Sequence, residues 1–576
     1  MTAPPFSAQP VSTLPVVIVG AGPAGLVAAC TLALQGVPVR VYDARPGPDD
    51  QPRALVLWAG CLEVLDRLGV GDDVLQEGLV LQRARYSSVT RPLFTVPFGG
   101  LAGTRFTRPV CLPQPVVVRL LLSRATALGV DVRWNHRVTE VRLDEDRAVV
   151  QVADTTGFGT TGSSTTGSST TGSSTTGSST TSATTEVAAR WLVGADGSRS
   201  VVRAAAGVEM EGRTFTREFL LVDGRVVSPD LPVDEARYDL GPSGVLVVVP
   251  LPDGTHRVFA DREIPPEGTP DTVFDDALAA LRLRQPTATI SDVRWASRFR
   301  VHSRVAKQFR SGPVLLAGDA AHGHSPAGGQ GLNTAVQDGF DLAWRLAAAF
   351  GGADAAVVDG YEAERRPAAQ RAVQQADAQT KLWLVANPVL RTLRDALLRT
   401  VGGKARFQGA AVGRLAQLDL GLRNSPALVE GQVPQGIGLP AVGRWSGLPV
   451  PPRDDLGCAV RHRLVVSGLT AQQRDALIRE APAGVLVTDP PGAGATSTAG
   501  TTSTAGTAAT AGTAGRPTIV WVRPDGVVGG ATDWAGRGRI LRLLGGRAPA
   551  RSGEPVIPAE SEVAESDVAE SEVARG

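Results

Sequence analysis

Three short stretches carry residue types whose spacing suits chemistry. In Val314–Leu346 a buried-strand signal, Val314-Leu315-Leu316-Ala317, runs through Gly318 into Asp319, which falls where that strand ends. The ligand crevice of an open α/β sheet lies outside the carboxyl ends of its strands. A carboxylate there can accept hydrogen bonds from ligand hydroxyls. Gly328, Gly329 and Gly331 follow, and backbone without side chains can approach a flat ligand closely. A helix then begins, with Leu332, Val336, Phe340, Ala343 and Ala347 at helical spacing. Its first turn offers unpaired N–H groups and partial positive charge. An acceptor, a close-approach loop and an electropositive helix end together suit a ligand with polyol hydroxyls and a ring that becomes anionic.

The second stretch, residues 15–43, reads as strand (Val16 to Val19), glycine turn, helix to about Gln35, Gly36 as cap, and strand (Val37 to Tyr42) ending at Asp43. Gly20, Gly22 and Gly25 form GxGxxG around Pro23 and Ala24. The glycines permit the turn and close approach of a pyrophosphate, the helix N-terminus faces the phosphates, and Asp43 can bond a ribose hydroxyl. A lone GxGxxG is weak, but here every flanking element is in place, and dinucleotide binding is predicted. The third stretch, Gly194-Ala195-Asp196-Gly197-Ser198-Arg199-Ser200, again sets a carboxylate and glycines at a strand end, before a helix from Val201 to Ala206. Alone it would be an ordinary Asp-Gly turn. Arg53, ahead of an amphipathic helix, could neutralise phosphate, and Gln114, just before another helix, is well placed to touch a ligand.

The elements that position these residues need more than one core, since 576 residues predict two or three domains. With 58 basic and 57 acidic residues the net charge of +1 implies no nucleic acid or other polyelectrolyte partner. Cys30, Cys61, Cys111 and Cys458 are far apart with no CxxC, which argues against a disulfide framework and fits a reducing, cytoplasmic setting. No run of about 18 apolar residues suggests a membrane span, and the N-terminus reads as a short lead-in rather than a signal peptide.

Residues 85–112 read as short strands and 113–134 as helix then strand. A strand is predicted from Ala148 to Val152 and another from Glu186 to Val193. Between them Thr160 to Ser179 repeats TTGSS four times, a tract too polar to order itself. Residues 215–300 return to strand patterns interrupted by one helix, Asp271 to Leu283. Helices follow from Ala353 to Val385 and over Leu390 to Leu418. From about Pro434 a small Pro- and Gly-rich region begins, with a second low-complexity insert at Gly492 to Gly515 and a strand at Thr518 to Val522. The acidic tail, Ala559 to Ala574, reads as disordered.

GAGPAG (Gly20 to Gly25), GADGSRS (Gly194 to Ser200) and GDAAHGHSPAGGQGLN (Gly318 to Asn333) together resemble the single-component FAD-dependent aromatic hydroxylases. These are the para-hydroxybenzoate hydroxylase-like monooxygenases, here of the polyketide and phenol hydroxylase type. The resemblance covers about residues 14–400. The segment Val520-Trp521-Val522-Arg523-Pro524-Asp525-Gly526 looks like their thioredoxin-like appendage. The fold so implied is α/β: a Rossmann-like FAD-binding domain, an interleaved β-sheet-rich substrate domain (α+β) and a small thioredoxin-like C-terminal domain. The implied division is FAD-binding parts at 14–84, 113–206 (155–185 a disordered insert) and 301–400, and substrate parts at 85–112 and 207–300. The appendage takes 401–555 (492–515 an insert), and 556–576 is a disordered tail.

Residue by residue, the resemblance implies that Gly20, Gly22, Pro23, Ala24 and Gly25 hold the FAD pyrophosphate and Asp43 the adenosine ribose. Arg53 and Gln114 match FAD-touching positions, and Asp196 matches a motif contacting FAD and NAD(P)H. Gly318 and Asp319 would serve the ribityl chain. Pro326 to Asn333, including Gly329, Gly331, Leu332 and Asn333, would line the isoalloxazine. Two residues depart from the family pattern: Asp341 where Asn is usual and Arg345 where Lys is usual. Both look helical and remote from chemistry. The implied reaction uses NADPH or NADH and O2, through a flavin C4a-hydroperoxide, to hydroxylate an electron-rich aromatic substrate. The other GxGxxG, Gly157 to Gly162, runs into the TTGSS tract and not into a helix, so no second dinucleotide-binding unit is indicated, consistent with transient NAD(P)H binding. The protein's part is to orient the cofactor and exclude water. Alternatives on the same scaffold are a Baeyer–Villiger-type oxygenase and a non-catalytic FAD-binding protein. His322 and His324, at i and i+2 with no carboxylate partner evident, read as structural, and no metal is predicted. Arg217, Arg225 and Tyr238 fall in the substrate region, each expected at the surface. A monomer or homodimer is expected.

Overall fold

The computed structural model describes residues 11–545 apart from 90, 157–183, 243, 267–271, 419–420, 423–424, 430, 434–438, 447, 449–459, 483–484 and 491–516. The TTGSS tract, the Gly492 to Gly515 insert, Cys458 and the acidic tail lie outside the described residues.

Val16–Val19 is buried on both faces, as a continuous Val/Ile run requires of a central parallel strand. It pairs in parallel with Val39–Tyr42 on one side and Trp191–Gly194 on the other. Asp131–Arg133 extends the sheet beyond Val39–Tyr42, and Val314–Leu316 extends it beyond Trp191–Gly194. Arg310–Ser311 closes that edge antiparallel. Helices Pro23–Leu34 and Gln330–Phe350 pack against each other, and Gln114–Ala127 packs on the first. A Cβ on Gly339 would overlap the Ala24 carbonyl oxygen, so the two helices cross at a separation only glycine allows.

The strand expected over Glu186 to Val193 is two. Thr184–Ala189 belongs to an antiparallel three-stranded sheet with Ala148–Asp154 and His136–Leu143, whereas Trp191–Gly194 belongs to the parallel sheet. The chain changes sheet at Arg190, whose N–H donates to the Pro15 carbonyl. No Gly, Pro, Asn or Asp marks such a break in the sequence.

An eight-stranded sheet is threaded by separate pieces of chain. Its order is His322–Gly323, Thr289–Ala306, Met210–Val227, His256–Glu263, Gly244–Pro250, Glu235–Gly241, Arg83–Ser88 and Arg91–Pro97. Only the Arg83–Ser88 and Glu235–Gly241 pair is parallel. The last sheet has the order Leu486–Thr488, Arg463–Ser467, Thr518–Val522, Val528–Asp533. Its first two strands are parallel and joined by helix Ala471–Glu480, and the others pair antiparallel and run into helix Arg537–Leu544. This βαβ-then-ββα arrangement is the expected thioredoxin-like appendage. No described helix is long and apolar enough to cross a membrane.

Asp341 and Arg345 are helical, as expected, but they are buried at the junction with this appendage. Arg345 donates to Asp341 (3.0 Å) and Glu364 (2.6 Å). Arg523 donates to both Glu364 oxygens (2.8 Å each) and also pairs with Asp525. Arg67 adds a bond to the Pro524 carbonyl (2.9 Å). Burial by itself would raise the Glu364 pKa. The Arg345 and Arg523 charges, with hydrogen bonds from Arg523 and Ser425, outweigh it and hold the carboxyl at about 2. Asp341 is pushed up instead, by burial first and then by Glu364 and Asp525, against the pull of the same arginines. Glu364 therefore stabilises the fold fully above its ordinary pKa of 4.5, and this contribution fades as pH falls toward about 2.

Arg523→Leu leaves Glu364 and Asp341 buried without one of their two cations and should cost about 3–5 kcal/mol. Denaturant unfolding of the full chain checks this, and an unchanged midpoint contradicts the clasp.

Candidate active site

The parallel strands deliver their carboxyl ends to one crevice. Gly20 follows Val16–Val19, Asp43 follows Val39–Tyr42, Asp196 follows Trp191–Gly194, and Gly318-Asp319 follows Val314–Leu316. The three motifs touch one another. Gly20 has φ +105°, and a Cβ on it would overlap the Ala195 carbonyl oxygen. A Cβ on Gly318 would lie 3.3 Å from the Ala24 Cβ.

Two helices open at this crevice without a side-chain cap. Pro23–Leu34 starts after Gly22, and a Cβ on Gly22 would meet open space. Gln330–Phe350 starts after Gly329, which is left-handed (φ +65°), as is Gly328 (φ +77°). The first-turn N–H groups of an α-helix have no intrahelical partner and carry partial positive charge. Capped by glycine instead of Ser or Asp, both ends are suited to a ligand's phosphate or carbonyl oxygens.

Asp319 is exposed in a 3-10 turn, Gly318–Ala320. That turn is held from behind by Asp338, fully buried in the long helix. Asp338 accepts from the Gly318 N–H (3.2 Å), His322 Nε2 (2.6 Å) and Arg365 Nε (2.8 Å). Burial alone would raise its pKa, but the Arg365 and His322 charges and their hydrogen bonds bring it below the ordinary value. His322 thus has a carboxylate partner, 16 positions along the chain and one helix away, which its local sequence does not show.

Asp196 uses Oδ2 to accept from the Val201 (2.7 Å) and Val202 (3.3 Å) N–H groups, capping the next helix. Its Oδ1 is buried with no hydrogen-bond partner among the described residues. Burial pushes this carboxyl up despite those bonds. Asp43 is engaged differently. It accepts from the Ala21 N–H (2.8 Å), the Arg45 N–H (2.9 Å) and, as a fork, Arg45 Nε (2.9 Å) and Nη2 (2.7 Å). Against the effect of burial, these bonds lower its pKa. All four of its lone-pair directions are taken, so a ribose hydroxyl has to displace the Arg45 fork.

Arg53 is an exposed side chain paired with Asp49 (3.1 Å). The structure fixes its backbone, whose carbonyl accepts from Arg257 (2.9 Å). Gln114 is half-buried at a helix start, with its N–H on the Ala54 carbonyl (2.8 Å). Pro326 is exposed at the rim and Leu332 is buried. Asn333 is buried with its side chain fully committed: Oδ1 accepts from the Trp58 N–H (2.7 Å), and Nδ2 donates to Val56 (2.7 Å) and Gly329 (2.6 Å) carbonyls. Trp58 Nε1 in turn donates to the Gly328 carbonyl (2.9 Å). The glycine loop therefore rests on the Val56–Trp58 segment, which no motif marked.

Trp58 meets Phe98 edge-on at 5.4 Å, and with Ala327 it joins the apolar face of the eight-stranded sheet, where Phe219, Phe259 and Phe299 cluster. Tyr238, expected at the surface, is half-buried against the sheet's aromatic cluster. It stacks on Tyr86 at 4.6 Å, which stacks on Phe94 at 4.5 Å. Arg225 is exposed, whereas Arg217 is half-buried against Asp261 (2.5 Å). The strand pattern there was legible, but which face is covered depends on helix Ala356–Trp383, whose Trp383 lies 5.6 Å from Tyr238.

The profile of the FAD-binding domain family matches residues 13–376. The chain belongs to this family. It is 33% identical over 395 residues to a Streptomyces rimosus 12-dehydrotetracycline 5-monooxygenase/anhydrotetracycline 6-monooxygenase, covering 66% of this chain and 72% of that one. It is 32% identical over 386 residues to a Rhodococcus hoagii rifampicin monooxygenase, covering 64% and 71%. Among solved structures, the S. rimosus anhydrotetracycline hydroxylase OxyS matches with TM-score 0.69 at 27% identity, over 93% of this chain and 100% of that one. By these relationships the protein is an FAD-dependent aromatic monooxygenase. The residues present fit FAD: uncapped glycine-led helix ends, an orphaned Asp196 oxygen and an exposed Asp319 meet where a dinucleotide would cross the sheet.

Asp338→Asn should weaken FAD binding by about tenfold, as expected for loss of a charged hydrogen bond behind the Gly318-Asp319 turn. Equilibrium titration of apoprotein with FAD measures it, and wild-type affinity would refute the positioning role.

Proposed function

We propose that this FAD-binding monooxygenase uses NAD(P)H and O2 to hydroxylate a large aromatic or polyketide-like substrate lying between the glycine loop and the eight-stranded sheet. The observation that carries this reading is the junction itself. The loop Gly328–Asn333 is held by Trp58, and Trp58 continues into an aromatic sheet face. A flat apolar molecule resting there would be desolvated beside the flavin position. The relatives named above act on 12-dehydrotetracycline, anhydrotetracycline and rifampicin.

When bound, FAD supplies the hydride acceptance and oxygen transfer. The chain's residues do the rest. Asp319 and Asp196 orient the cofactor's hydroxyls, Gly328 and Gly329 let it lie close to the backbone, and the Gln330–Phe350 N-terminus stabilises negative charge on its ring. The apolar sheet face excludes water. We assign residues 14–84, 113–206 and 301–400 to the cofactor, 85–112 and 207–300 to the substrate, and 401–555 to the appendage. A cytoplasmic protein acting as monomer or homodimer fits this chemistry.

A second reading has a specific basis: the chain is also 32% identical over 374 residues to a dialkyldecalin synthase from Streptomyces rugosporus. FAD would then be a scaffold for cyclisation. One assay separates the two, NAD(P)H consumption under 18O2 against phenols, naphthoquinones, polyketides and ansamycins. The hydroxylase reading expects substrate-stimulated consumption and one 18O atom in a phenolic product. A lactone would indicate Baeyer–Villiger chemistry, and substrate conversion with no NAD(P)H consumption and no 18O would favour the synthase.

A further inference from the structure

His322 and His324 lie two residues apart with near-parallel rings (6°, centroids 6.2 Å), yet their hydrogen bonding differs. His322 is satisfied by Asp338. His324 Nδ1 lies 2.9 Å from the Ser325 carbonyl oxygen, which can only accept, so Nδ1 must carry the proton. In the neutral ring, Nε2 is then a bare lone pair, and it is buried with no partner among the described residues. An unpaired buried polar atom costs about 1–3 kcal/mol. The ring faces the helix start: a Cβ on Gly331 would lie 3.6 Å from His324 Cε1 and 4.0 Å from Nε2.

That location has a chemical complement. The pyrimidine edge of an isoalloxazine reads C=O, N–H, C=O, so it asks for donor, acceptor, donor. A helix N-terminus can supply donors only. The element it lacks is an acceptor, and His324 Nε2 is one, beside the second residue of the Gln330–Phe350 helix. A protonated His324 could not serve. Burial keeps the ring neutral by lowering its pKa, with His322 acting in the same sense, while the Ser325 carbonyl, Asp319 and Asp377 only partly oppose.

We propose that His324 is a cofactor-contacting residue whose Nε2 accepts a hydrogen bond from the imide N–H of the bound FAD. This rests on the FAD reading. It assigns recognition of the ring's central donor to a side chain set apart from the glycine loop, and it explains why Nε2 of one histidine of the pair has no partner among the described residues.

The test uses full-length protein, deflavinated and reconstituted with FAD labelled with 15N at the imide. In wild-type holoprotein the imide proton should be protected from water exchange and shifted from its free-FAD position. His324→Leu should lose that protection and bind FAD about tenfold more weakly, and His324→Gln, which keeps an acceptor, should recover part of both. The inference is overturned by an imide proton that exchanges in wild-type holoprotein as fast as in free FAD, a result that needs no variant. Wild-type affinity and protection in His324→Leu overturn it equally. Wild-type protein that takes up no FAD would instead sink the FAD reading, and this inference with it.

Discussion

Ala24 and Gly339 meet where the helices Pro23–Leu34 and Gln330–Phe350 cross, and the missing Cβ at 339 sets how closely they do so. The crossing lies one residue inside the first helix and nine residues, about two and a half turns, inside the second. It therefore fixes the spacing between two uncapped, glycine-led N-termini that sequence separates by about 300 positions. A dinucleotide held by its pyrophosphate at one end and its ring at the other would need that distance constant. Small residues cluster where the motifs meet: Gly20 against Ala195, Gly318 against Ala24, Gly25 over Gly20.

Around this frame, several buried charges tie distant segments together. Asp338 joins the Gly318 turn, His322 and Arg365. Glu364 and Asp341 join the long helices to Arg523 of the appendage. Arg257 pairs with Asp223 in the sheet and donates to the Pro52 and Arg53 carbonyls of the loop leading to the glycine bed. Each such group would be costly if left alone. The appendage is thus attached to the same helix whose start faces the flavin position. Its attachment by guanidinium forks, which lysine could not reproduce, gives a physical meaning to Arg345.

Much of this was legible because local sequence dictates it. GxGxxG between strand and helix, Asp319 after an apolar run, and the apolar spacing of Gln330–Phe350 each specify their own geometry. What escaped depends on partners far along the chain. His322 seemed to lack a carboxylate because Asp338 reaches it from the next helix. Asp341 and Arg345 read as remote from chemistry, but their place in a buried network with Glu364 and with Arg523, 182 positions beyond Asp341, has no local signal. Tyr238 carries a polar tip and looked exposed, but Tyr86 and Trp383 cover it. The break at Arg190 is hidden because no turn-forming residue marks it. Asn333 was noticed as a site residue, but its amide is spent on Trp58, Val56 and Gly329.

The account turns on the fixed crossing of the two helices, and the most direct measurement is the FAD affinity of Gly339→Ala apoprotein beside wild type. Gly339 itself is not among the residues assigned to the cofactor. Even so, prising the helices apart by part of an ångström should weaken FAD binding by at least about tenfold in a variant of unchanged helix content. Wild-type affinity in that folded variant would show that the spacing of the two helix ends does not govern the site, and would contradict the account.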